Sequence, residues 1–151
     1  MTDTHTRRST HGLPARSGYI SVGGIAWWKV HARGQAIVLT VIGEIDASNT
    51  ERFTDSIRRL TTAGGPLVLD LSGLGFLGVQ GFQGLFGLNE ACRRVNLPWA
   101  IVGGPAVRTL ARIGDRDHAL PMVGTVAEAL LQFAADTGGR LRLLPAAGDA
   151  G

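Results

Sequence analysis

Apolar residues are too sparse in residues 1–21 to set up any period, but from Ile25 onward they fall into runs of two kinds. Ile25–Val30, Ile37–Ile42, Pro66–Leu71, Trp99–Val102 and Pro121–Val123 have the length and composition of strands. Between and after them, helical spacing takes over: Phe53, Ile57 and Leu60; then Phe82, Leu85, Phe86, Leu88, Cys92 and Val95; then short helices over Pro105–Ile113 and from Thr125 through Phe133. The order is β-β-α-β-α-β-α-β-α. His31 to Gln35 reads as the turn of an opening hairpin, and the unbroken apolar run at Leu67–Leu71 suits a strand covered on both faces. The pattern predicts an α/β domain, a mixed sheet with helices mainly on one face.

Boundary signals refine these elements. Ser48 with Glu51 three residues later reads as a capping box opening a helix to about Thr62, where Gly64-Gly65 stops it; Thr125 with Glu128 is a second such box. Residues 1–21, rich in Thr, Ser, Arg, His and Gly, are expected as an N-terminal tail, residues 22–137 as the domain, and residues 138–151 as a C-terminal tail.

Composition narrows the functional classes. The net charge of +3 comes from arginines spread along the chain, with Lys29 the sole lysine, whereas a duplex binder concentrates cations on one face; direct DNA binding is not expected. No apolar run nears the roughly 20 residues that cross a bilayer, and the N-terminus lacks a leader pattern, so no membrane insertion and a cytoplasmic location are expected. Cys92, the single cysteine, cannot form an intramolecular disulfide.

Candidate chemistry is concentrated after the Leu67–Leu71 strand. Gly78-Val79-Gln80-Gly81 opens a helix whose free N–H groups face the strand's carboxyl end, where ligands or partners meet such sheets. No phosphate-loop or dinucleotide pattern accompanies it and no lysine lies nearby, so a protein contact is preferred to a nucleotide and no cofactor is expected. Gly81, Gly84 and Gly87 recur every third residue inside this helix, each costing up to about 1 kcal/mol against alanine, which close packing against a neighbour or partner would offset. Gln80 and Gln83 are the polar groups expected to flank Val79. Asp46, just past a strand, either caps its own turn or meets a partner arginine. Asp115-Arg116-Asp117-His118 reads as a solvated loop rather than a metal site, Cys92 as a small buried hydrophobe, and Trp27 and Trp28 as one partly exposed and one core ring. His31 in a turn and His118 in a loop leave Cys92 and Ser72 without a local base, so no enzyme is expected.

Asp70-Leu71-Ser72-Gly73, Phe76-Leu77 and Gly81, with Gly43-Glu44-Ile45-Asp46 before them and Pro105, Val107, Arg108, Leu110 and Gly114 after, resemble the STAS domain of bacterial anti-sigma factor antagonists. The resemblance covers about residues 25 to 135. It implies a contact surface of Asp46, Gly78, Val79, Gln80, Gly81 and Gln83 for an anti-sigma factor of the serine-kinase fold, and so a role in sigma-factor-dependent transcription. In phosphorylated members an Asp-Ser pair opens the helix; here Gly78-Val79 stand there, and valine has no hydroxyl to modify. The resemblance therefore implies a non-phosphorylatable regulator. The alternatives are an adaptor subunit of a transport or stress-signalling assembly and a nucleotide-binding protein, with homodimerisation left open.

Overall fold

In the sheet the strands lie side by side in the order in which the chain forms them: β1 (Ile20–Val22), β2 (Ala26–Arg33), β3 (Ala36–Ile45), β4 (Leu67–Leu77), β5 (Trp99–Gly103) and β6 (Met122–Val123). The structure, a computed structural model, describes residues 20–22 and 25–144. The first three strands are antiparallel and every later pairing is parallel, so the sheet is mixed as expected. The helices are α1 (Thr50–Arg59, followed by a 3-10 turn over Leu60–Thr62), α2 (Val79–Arg94), α3 (Pro105–Gly114) and α4 (Val126–Leu144).

Strand alternation sorts the core into two layers. Leu39, Leu67, Leu69, Leu71 and Ile101 point to the side of α1, α2 and α3, where they meet Phe53, Ile57, Leu85, Leu88 and Val107. Val38, Val68, Ala100, Val102 and Val123 point the other way, onto Ala129 and Phe133 of α4. Three helices on one face and one on the other match the expected asymmetry. Trp28 is buried against Phe53, ring centroids 6.4 Å apart, and Trp27 is half-buried on the opposite face.

The glycine repeat in α2 has its explanation here. A side-chain carbon on Gly84 would sit 2.3 Å from Thr54 Cγ2, and one on Gly81 would sit 2.8 Å from Leu77 Cδ1. The glycine stripe lets α1 and α2 approach closely, so it is spent inside this chain. Gly43 is set by a different demand: its φ of 103° and the 2.3 Å between a would-be side-chain carbon and Ile25 O leave room for glycine alone. The register of β3 against β4 shifts on both sides of Gly43.

Several local expectations change. His31 is not in a turn but in β2, which runs on to Arg33; the turn is Gly34-Gln35, with Gly34 at φ 62°. The Ser48–Glu51 capping box does not form, because Ser48 turns its hydroxyl back to Asp46 and α1 starts at Thr50 after Asn49. Thr125 does cap its helix, half of the expected box: Glu128 N donates to Thr125 Oγ1 at 3.0 Å, while Glu128 Oε1 accepts from Gly124 N at 2.9 Å rather than from Thr125 N. Strand β1 and the continuation of α4 past Phe133 to Leu144 are additional to the expected elements.

Candidate functional site

The carboxyl ends of β3 and β4 and the amino end of α2 meet at one corner of the sheet. Gly78 N donates to Ile45 O at 2.9 Å, tying the start of α2 to the end of β3, and Phe82 N donates to Gly78 O at 3.0 Å as the first helical bond. Gly78 is the N-cap, with extended backbone at φ −72°, ψ 164° and no side-chain cap. The N–H groups of Val79, Gln80 and Gly81 therefore lie in the helix's first turn, where the helix itself supplies no acceptor.

Beside them runs the turn from Asp46 to Thr50. Asp46 Oδ1 accepts from Ser48 N at 2.8 Å and from Ser48 Oγ at 2.6 Å, while Asp46 N donates to Asn49 Oδ1 at 2.8 Å. Asn49, almost fully buried, also donates from Nδ2 to Glu44 O at 3.0 Å. Hydrogen bonds from the Ser48 hydroxyl and then its backbone N–H hold the Asp46 carboxyl below its ordinary value. Asp46 thus caps its own turn, the local chemistry weighed from the sequence, and it stays charged at the rim.

The turn and the helix start enclose a recess of about 250 Å³ lined by Asp46, Ala47, Thr50, Phe76 and Gly78 to Gly81. Val79 is 60% exposed and Phe76 49% exposed, an apolar pair at its mouth. Gln80 and Gln83 are exposed on α2; Gly81 is buried and contributes backbone alone. Thr50 Oγ1 is buried without a hydrogen-bond partner among the described residues. The corner offers an apolar lip, one carboxylate and helix-start amides.

All six residues singled out from the sequence lie at or next to this corner. Phe76, Ala47 and Thr50 were missed. Phe76 follows the register shifts in β4, where exposed Gly75 and Phe76 sit together between buried Leu74 and Leu77, so a period-two reading could not place it.

Elsewhere, the Asp115–His118 loop is not simply solvated. Asp115 is buried, and its carboxylate accepts from Ala119 N at 2.8 Å and Leu120 N at 3.0 Å, closing the loop after α3. Among the described residues no group of three or more His, Cys, Asp or Glu could hold a metal ion. Cys92 is buried in the main core, and burial pushes its thiol up to about 11. No helix among the described residues is long and apolar enough to cross a membrane.

Comparison with known proteins fits this architecture. The STAS-domain family pattern matches residues 28–129. Osmosensory protein A of Mycobacterium tuberculosis is 34% identical over 136 residues, covering 85% of each chain. A second M. tuberculosis protein, provisionally named as an anti-anti-sigma factor, is 32% identical over 101 residues, covering 64% of this chain and 68% of its own. The crystal structure of an anti-sigma factor antagonist from Mycobacterium paratuberculosis superposes with a TM-score of 0.63 at 26% identity, over 75% of this chain and 97% of that one.

Proposed function

Because the chain belongs to the STAS-domain family, we propose that it is an anti-sigma factor antagonist, binding an anti-sigma factor of the serine-kinase fold and so modulating sigma-factor-dependent transcription in the bacterial cytoplasm. Its contact surface is the corner of Asp46, Gly78, Val79, Gln80, Gly81 and Gln83, with Phe76 as an added apolar anchor. The observation that carries this reading is the exposure of Val79 at the start of α2, beside an open recess rather than inside the core. An exposed apolar residue flanked by glutamines and unpaired amides is the kind of anchor a partner desolvates.

The same residue sets the regulation. A phosphoryl group carries about −1.5 to −2 charges and would repel a bound partner at this surface. Valine cannot accept one, so the complex does not respond to ATP through this position. The test uses the purified chain with a kinase-fold anti-sigma factor from its own genome. Val79→Asp is expected to weaken binding at least about tenfold. ATP added to the wild-type complex is expected to leave the intact mass unchanged. A stoichiometric phosphate on any hydroxyl beside the corner, such as Ser48, Thr50, Thr54 or Ser72, or full affinity in the Val79→Asp chain, overturns the reading. Gly78→Asp with Val79→Ser is expected to create an acceptor if the partner is an active kinase.

The 34% identity to osmosensory protein A favours a second reading, an adaptor in stress signalling. Recovery of a non-kinase partner through the same corner, lost on Val79→Asp, separates the two.

A further inference from the structure

Another recess, sharing no residue with the Asp46 corner, lies between the end of α3 and the start of β6. It encloses about 400 Å³, a volume within the range of small-molecule sites. Leu120, Pro121 and Met122 supply apolar lining, and Arg112, Asp115 and His118 supply its polar groups.

These three polar residues differ in how far they are committed. Asp115, 6% exposed, spends both carboxylate oxygens on the loop, accepting from Ala119 N at 2.8 Å and Leu120 N at 3.0 Å. Arg112, in the last turn of α3, and the ring of His118 have no hydrogen bond or ion pair among the described residues. The recess therefore holds an uncommitted guanidinium and an uncommitted imidazole beside apolar carbon.

The loop that carries the imidazole is fixed in advance. His118 N donates to Asp115 O at 3.0 Å, and His118 sits at φ 53°, a left-handed conformation that persists in a non-glycine residue only where the surroundings hold it. Here Asp115 holds it from both sides, through its own carbonyl before the residue and through its carboxylate after it.

We propose that this recess binds a small monocarboxylate with an apolar body, its head on Arg112 and His118 and its body on Leu120, Pro121 and Met122. The planar guanidinium fork matches a carboxylate with two parallel bonds, and an imidazole N–H adds a third donor. A phosphate ester would bring a second charge toward Asp115 with no lysine to balance it, since Lys29, the sole lysine, lies on β2. A cation would face Arg112 itself.

The test is an amide chemical-shift titration of the full chain with phenylbutanoate, beside phenylbutanol, phenylbutylamine, phenyl phosphate and a tripeptide ending in free phenylalanine. Phenylbutanoate is expected to give saturable shifts at Arg112 and from His118 to Met122, with affinity at least about tenfold above each of the others. Arg112→Gln, at an exposed position, is expected to weaken it at least about tenfold. His118→Gly keeps the left-handed turn while removing the ring, and is expected to weaken it at least about threefold. Tighter binding of the tripeptide would assign the recess to a protein's carboxyl terminus and overturn the proposal. So would the absence of saturable shifts, equal or tighter binding of any other control, unchanged affinity in either variant, or shifts confined to the Asp46 turn and α2.

Discussion

The two faces of the sheet are built from the same strands but to different standards. Under α1, α2 and α3, Leu39, Leu67, Leu69, Leu71 and Ile101 are almost wholly excluded from water. On the other face α4 seals Val68, Ala100 and Val102, yet Trp27, Lys29 and His31 are half-buried and Arg33 is exposed. One face holds the molecule together. The other is less completely covered among the described residues.

The comparison is sharpest where removal of side-chain volume is measured. Leu69→Ala should cost about 2–5 kcal/mol in denaturant unfolding. Arg33→Ala, on the same sheet's less covered face, should change stability by less than about 0.5 kcal/mol. Near-equal values would erase the distinction between the faces.

Cys92 probes the sealed face by chemistry. With its thiol pushed up to about 11 from an ordinary 9.0, its thiolate fraction at pH 8 falls about a hundredfold. Native protein should resist a thiol reagent that reacts promptly after unfolding.

A smaller effect tests how tightly α1 lies on α2. Gly84→Ala should lose about 1–3 kcal/mol to the clash with Thr54, offset in part by about 1 kcal/mol of helix preference. Thr54→Ser in the same chain removes the opposing methyl and should recover most of the loss.

The smallest effect belongs to the open face. Burial first, then Lys29 and Arg33, lower the His31 pKa below 6.5, with Asp70 opposing. As pH falls past 6.5 the unfolded chain gains a proton that the folded chain refuses, so stability declines until the lower folded value is passed. His31→Gln should flatten that part of the pH–stability curve.

Much of this was legible in the sequence because the parallel strands are short apolar runs between glycine and proline, as at Leu67–Leu71 and Trp99–Val102. What escaped did so for local reasons. The row of Lys29, His31 and Arg33 on β2 was hidden because β2 reads as ending at Val30, which turned His31 and Arg33 into turn residues and made the arginines look scattered. Asp46 and Asn49 outcompeted Ser48 for the turn, since Asp46 Oδ1 accepts from Ser48 N and Asn49 Oδ1 accepts from Asp46 N. Residues 138–151 read as a tail from composition, yet α4 runs on to Leu144. The glycine stripe in α2 was visible, but only the position of Thr54 shows that α1 is the neighbour it serves.

Because every strand pairs with its predecessor in the chain, each new hydrogen-bonded neighbour is already in place when the next strand leaves the ribosome. Closure of each crossover loop spans one helix at most, which keeps contact order modest for a sheet protein and favours rapid assembly from the amino end.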